Sequence, residues 1–245
     1  VLDNQAAQTF LAAAQIMSTM TTSPELMKST QVLSAMNTGP ELINLQRQQN
    51  ELGGGRAGGA PVNITDASTT ISMAILDGTW IGECQFISSS STSAKRTYTF
   101  SSSNNTATES LTYYTGSICN NQDYILSVKT NNISIGTKSA NTEGLIITKY
   151  TAVILDITIE PKNAARASSL NSTSYCGVTS WSSGSETSIA GKTCLSTTYS
   201  SVNDGFRDIV QMNSERTYIR FGNTSDLESD GYPSTVYDNK YYKFN

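Results

Sequence analysis

From residue 78 onward apolar and polar residues alternate with period two, the repeat that sends successive side chains to opposite faces of a strand. GTWIGECQFI, residues 78–87, sets Trp80, Gly82, Cys84 and Phe86 on one face and Ile81, Glu83, Gln85 and Ile87 on the other. TAVILDITIE, residues 151–160, sets Val153, Leu155, Ile157 and Ile159 against Ala152, Ile154, Asp156, Thr158 and Glu160. KRTYTFSS, ATESLTYYT, DYILSVKT, GLIITKY, DIVQMNS, RTYIRFG and YYKF repeat the texture. Between these runs lie SSSSTSA, SSNN, CNNQ, TNN and SANTEG, composed of turn-forming residues. One apolar and one polar face per strand predict an antiparallel sheet with one wetted side. Roughly eight or nine such segments at hairpin spacing predict a barrel or sandwich. Closure is the better solution, because Thr- and Ser-rich strands would otherwise present open edges.

The first fifty-two residues follow a different period. In NQAAQTFLAAAQIMSTM, Phe10, Ala13 or Ala14, Met17 and Met20 recur at helical spacing. SPELMKSTQVLSAMN opens with Ser23 as N-cap, Pro24 in the first turn and Glu25 behind it, and Pro40-Glu41-Leu42 repeats the device. Two or three short helices are predicted over 1–52. Their stripes are too narrow for independent stability, so they need a partner surface, a second copy or the β domain. GGGRAGGAP, residues 53–61, packs five glycines into its first seven positions and reads as a flexible tether. The β domain then spans 62–245, with 64–76 readable either as a short helix covering one end or as an irregular strand.

Composition narrows the compartment and the partners. Charged residues make up 15% of the chain, net charge is −4, and Lys95-Arg96 is the densest basic run. That is no stripe for a phosphate backbone, so nucleic acid is not an expected partner. No run approaches the length of a membrane-spanning helix. Four cysteines occur in a chain with no histidine and no C-x-x-C, which favours disulfides over zinc. Of the three connectivities, the local pairs Cys84–Cys119 and Cys176–Cys194 are expected, each closing a loop between neighbouring strands. An exported location (periplasmic, cell-surface or secreted) follows as an expectation, with either a signal peptide removed before Val1 or a sequence that starts internally.

Gly78-Thr79-Trp80, opening the first clear strand, resembles the G-x-W signature of lipocalins and related calycin barrels. The resemblance implies a closed barrel with Trp80 packed across one end, near an arginine from the last strands. Arg216 and Arg220 are the matches available, and Arg220 is preferred. Trp80, Gly82 and Cys84, followed by Tyr113-Tyr114 and Cys119, are also similar to the W-x-G-x-C start and second cysteine of bacterial exported lipocalin-like proteins. The tail DGYPSTVYDNKYYKF is similar to theirs, so the likeness covers 78–245. Avidin-like barrels also begin G-T-W but surround their ligand with several tryptophans, whereas this chain has Trp80 and Trp181.

Candidate chemistry is sparse. Without histidine, Ser-His-Asp, Cys-His and imidazole–metal arrangements are excluded. Glu83, Glu109, Asp123, Asp156 and Asp204 are scattered carboxylates expected to be solvated rather than paired for glycoside hydrolysis. Asp226, Glu228 and Asp230 lack the spacing of a calcium loop, so neither a metal nor a cofactor is expected. Asn63, Asn104, Asn132, Asn171 and Asn223 head N-x-S/T sequons that matter only in a source that glycosylates. Binding is therefore the expected role, without enzymatic activity. Tyr98, Phe100, Leu126, Val128, Leu155, Ile157, Ile219 and Phe221 are expected to face the lumen, either lining a site for a small apolar or amphipathic molecule or packing as a dry core. On the alternative reading the chain is an adhesin- or scaffold-like interaction module. Its loops or N-terminal helices would then meet a protein or glycan, or assemble a homo-oligomer. Tyr237, Tyr241 and Tyr242 suit either role or seal the barrel end.

Overall fold

A computed structural model describes residues 71–244 except 89, 142 and 195. The helical segment expected over 1–52, the tether at 53–61, residues 62–70 and Asn63 lie outside the described residues. The ambiguous stretch ends in a one-turn helix, α1 (Met73–Leu76). Strands β1 (Gly78–Ile87), β2 (Thr92–Ser101), β3 (Thr106–Thr115), β4 (Gln122–Ala140) and β5 (Ile146–Pro161) follow in an antiparallel meander. Ser91 and Asn105 take positive φ in the first two hairpin turns, as their short polar side chains allow. Helix α2 (Ala164–Ser172), a 3-10 turn at Tyr175–Gly177 and the two-residue strands β6 (Thr187–Ser188), β7 (Thr193–Cys194) and β8 (Thr197–Thr198) form an insertion. The chain returns through β9 (Gly205–Met212), β10 (Tyr218–Phe221) and β11 (Tyr241–Phe244). β11 pairs with β1 and β9 with β5, so eight strands join in a closed ring with every pairing antiparallel.

Both ends of the ring are filled by the chain itself. At one end Leu76 and Trp80 pack with Tyr98, Phe100, Val210, Ile219, Phe221 and Tyr241. The Trp80 Nε1 donates to the Leu76 carbonyl at 2.7 Å, which ties α1 to the ring. Toward the other end the insertion brings Ala167, Leu170, Tyr175, Trp181, Ile189 and Tyr199 onto Leu126, Ile157 and Ile159. Helix α2 starts there because the Asn163 side chain accepts from the Arg166 amide at 2.8 Å, an N-cap. The Cys176–Cys194 disulfide closes this insertion. The Cys84–Cys119 disulfide joins β1 to the β3–β4 loop, carrying that loop across the outer side of β2. Ser93 on that side is fully buried. Two disulfides fit an oxidising compartment, and no helix among the described residues is long and apolar enough to cross a membrane.

Three expectations about which way strand side chains face need correction, two of them because of a β-bulge. In β1 the register with β2 slips between Ile81 and Cys84, so that Gly82 and Glu83 together oppose Arg96. An extra residue inverts the side-chain phase. Trp80 and Gly82 are buried while Cys84 and Phe86 are exposed, and the four do not share a face. In β5 Asp156 pairs with Lys129 but Ile154 pairs with Thr130, which leaves Leu155 as the extra residue. Leu155 is 45% exposed on the outside rather than in the lumen, and Ile154 points inward with Ile157 and Ile159. Arg220, between the buried Ile219 and Phe221, lies on the outer face and not over Trp80. It donates to the Gln211 side chain at 2.8 Å and stands 3.9 Å from Asp238. The cation over the Trp80 ring is Lys243, 5.4 Å from its centroid.

Candidate functional site

Of the eight expected lumen residues, the structure brings Tyr98, Phe100, Ile219 and Phe221 into one buried cluster. Leu126, Val128 and Ile157 join the other. Members of the first group pack against one another. Tyr98 and Phe221 have ring centroids 4.1 Å apart, Tyr98 and Tyr241 4.9 Å, and Phe221 and Tyr241 5.6 Å. These are the offset and edge-on separations of packed aromatics.

Between the two apolar clusters runs a polar belt. The Tyr98 hydroxyl donates to Glu109 at 2.8 Å, and the Arg96 guanidinium stands 3.1 Å from the same carboxylate. Tyr113 stacks on Tyr124 with centroids 4.4 Å apart, and Arg166 lies 5.1 Å from the Tyr124 ring centre. Burial pushes the Tyr113 phenol up to about 12, although the nearby Arg96 charge works against that rise. Burial likewise holds the Tyr124 and Tyr199 phenols well above the ordinary value. In the native protein these phenols keep their protons at pH values where the unfolded chain, with phenols near 10.0, has begun to release them. Stability from this source is therefore complete below pH 10 and falls between about pH 10 and 12. Thermal unfolding followed through that window, alongside ultraviolet titration of phenolate, should show stability falling before the buried phenols ionise. A flat profile would contradict the burial of the belt.

The belt opens to solvent beside β11. β11 pairs with β1 only at Thr79–Ile81, and beyond Ile81 the bulge carries β1 away from the incoming chain. Gly82 accommodates the close passage, since a Cβ there would sit 2.9 Å from the Tyr241 ring. The result is a crevice of about 150 Å3 in the side of the ring. Glu83 and Gln85 from β1 form one wall, and Asp238, Asn239, Lys240 and Tyr242 form the other. Ala94, Arg96, Leu111 and Tyr241 line it from the interior. Tyr242 is 44% exposed. The Lys240 ammonium lies 4.7 Å from the Tyr218 ring centre, which places its charge beside the mouth.

Most of these residues are absent from the sequence expectations. Arg96 was legible, because it shares phase with Tyr98 and Phe100 in KRTYTF and so had to point inward. The loop residues Asp238–Lys240 carry no periodic signal that would place them. Among the expected carboxylates, Glu83 lines the crevice and Glu109 belongs to the belt. Asp123 is buried rather than solvated, because Arg166 from α2 folds over it; the Arg166 Nε donates at 2.9 Å. Asp156 accepts from Ser188 at 2.6 Å, and Asp204 accepts from the Ser201 amide at 2.6 Å. Glu228 and Asp230 receive the Lys149 ammonium at 2.9 and 2.7 Å. Among the described residues no group of three or more Asp, Glu, Cys or His side chains is arranged to hold a metal. Tyr237 and Tyr241 are buried. Asn104 and Asn132 are exposed, whereas the Asn171 side chain bonds both backbone groups of Trp181 and Asn223 caps Ser225. Compared with known proteins, the chain matches no family model and no curated sequence.

Proposed function

We propose that the chain is an exported, non-enzymatic interaction module of adhesin-like type, built on a lipocalin-like barrel that serves as a filled scaffold. The observation that carries this reading is the interior. Tyr98, Phe100, Phe221, Tyr241 and Trp80 occupy one half, and the insertion's Tyr175, Trp181 and Tyr199 occupy the other. Carriers of apolar molecules enclose roughly 300–1,000 Å3 of largely apolar space. The crevice here is smaller and bordered by charged and amide side chains. Large apolar side chains are instead displayed outside: Phe86 and Ile118 flank the Cys84–Cys119 disulfide, and Tyr242 and Phe244 lie on β11. Exposed aromatic groups among Ser, Thr and Asn suit a surface that meets a partner. The disulfides and the absence of histidine from the sequence support the exported and non-enzymatic parts of the reading.

Native mass spectrometry of protein purified from its own source tests it. The expected spectrum carries no retained small apolar molecule, and solvent extraction leaves the melting temperature unchanged. The labelled chain should bind saturably to the envelope surface of the source. A stoichiometric apolar ligand, or stability lost on extraction, would restore the carrier reading and sink this one.

A further inference from the structure

We infer that the side crevice receives a single sugar residue of a neutral glycan, an inference that rests on the interaction role proposed above. Its size, about 150 Å3, suits one compact polar ring better than a lipid or a larger cofactor. Its chemistry is mixed. Glu83 and Asp238 offer acceptors, Arg96 and Lys240 offer donors, and the Gln85 and Asn239 amides offer both. A hydroxyl donates and accepts at once, so a ring carrying several of them can satisfy such walls where a one-sided ligand cannot. The charges do not select an ion. Both signs line it: Glu83 stands on one wall, Asp238 and Lys240 share the other, Arg96 lies inside 3.1 Å from Glu109, and Arg220 stands 3.9 Å from Asp238. A free anion would meet Glu83 and Asp238, and a free cation would meet Arg96 and Lys240. The exposed Tyr242 supplies aromatic surface for the C–H face of a sugar, with the edge of Tyr241, Leu111 and Ala94 behind. The opening faces sideways between β1 and β11, so the remainder of a glycan chain can continue along the outside past Tyr242 and Tyr218.

The test uses the full chain, nitrogen-15 labelled, titrated with methyl glycosides of neutral hexoses and of N-acetylhexosamines. At least one should shift amide resonances of Gly82–Gln85 and Asp238–Tyr242 in a saturable way at millimolar concentration. Asp238→Ala and Asn239→Ala should each weaken that binding about tenfold, the loss expected for one directed hydrogen bond in a small site. Asp238 has a side chain 94% exposed, so its replacement leaves the fold intact. Thr108→Ala, on the outer side of β3 away from the crevice, should change nothing. No shift with any glycoside would overturn the sugar site while leaving the interaction role to the envelope-binding measurement. Shifts on another face would overturn the location. The same shifts produced by glycine or inorganic phosphate, and not by sugars, would overturn the ligand class.

Discussion

Trp80→Ala is expected to destabilise the fold by about 3–5 kcal/mol, the range for removing a large aromatic side chain from a packed core. Trp80 is fully buried and touches the cluster that fills one end of the ring. Truncation would open a cavity bounded by Leu76, Phe100 and Phe221, side chains held by three different elements that cannot all collapse inward. It would also remove the donor to the Leu76 carbonyl, which anchors α1. Trp80→Phe separates the two effects. It keeps most of the volume and loses the hydrogen bond, so a cost of about 1–2 kcal/mol is expected. Urea unfolding of the oxidised protein measures both. A loss below about 1 kcal/mol for the alanine variant would mean that Trp80 is not the packed floor of the ring.

The second large effect is expected at Asp123 and Arg166. The pair is buried, joined through the Arg166 Nε at 2.9 Å, and Asn163 adds a bond to the other carboxylate oxygen at 3.2 Å. Burial opposes the Arg166 charge, but its bonds to Asp123 hold the guanidinium above its ordinary value. Arg166→Met leaves a carboxylate buried beside Tyr124 without its main counter-charge, and a loss of about 3–5 kcal/mol is expected. The double replacement Asp123→Leu with Arg166→Met removes both charges. It should recover at least half of that loss, because the penalty lies in the orphaned charge rather than in the net worth of the pair. A double variant as unstable as the single one would show instead that the ion pair itself holds α2 on the ring.

Period-two alternation made the strands legible, and hydroxyl- and Asn-rich segments made the turns legible. Where a strand is regular, as in β2, the phase also predicts which side chains are inside: Ala94, Arg96, Tyr98 and Phe100 all point inward. It failed at Leu155 and at Cys84 for one shared reason. A bulge is a count of two residues against one on a neighbouring strand, and nothing within a single strand records its neighbour's count. The candidate site suffered most from this. The crevice exists because Gly82 and Glu83 together oppose Arg96, and because β11 stops pairing at Ile81. Arg220 failed differently: its neighbours Ile219 and Phe221 required it to face outward, and the motif-based expectation overrode that alternation.

The order of residues alone was enough to specify a disulfide-bonded antiparallel β domain, the pairing of nearby cysteines and the inward set of each regular strand. These depend on local propensity, on alternation and on short loop closure, all of which act over a few residues or one hairpin. Only the tertiary structure decided that aromatic clusters pack within the ring, that α2 and its insertion pack against it, and that β1 parts from β11 to leave an opening. Those outcomes depend on contacts between segments far apart in the chain, such as Trp80 with Phe221 and Asp123 with Arg166. Their energies come from volume filled and charge buried, which no single segment carries.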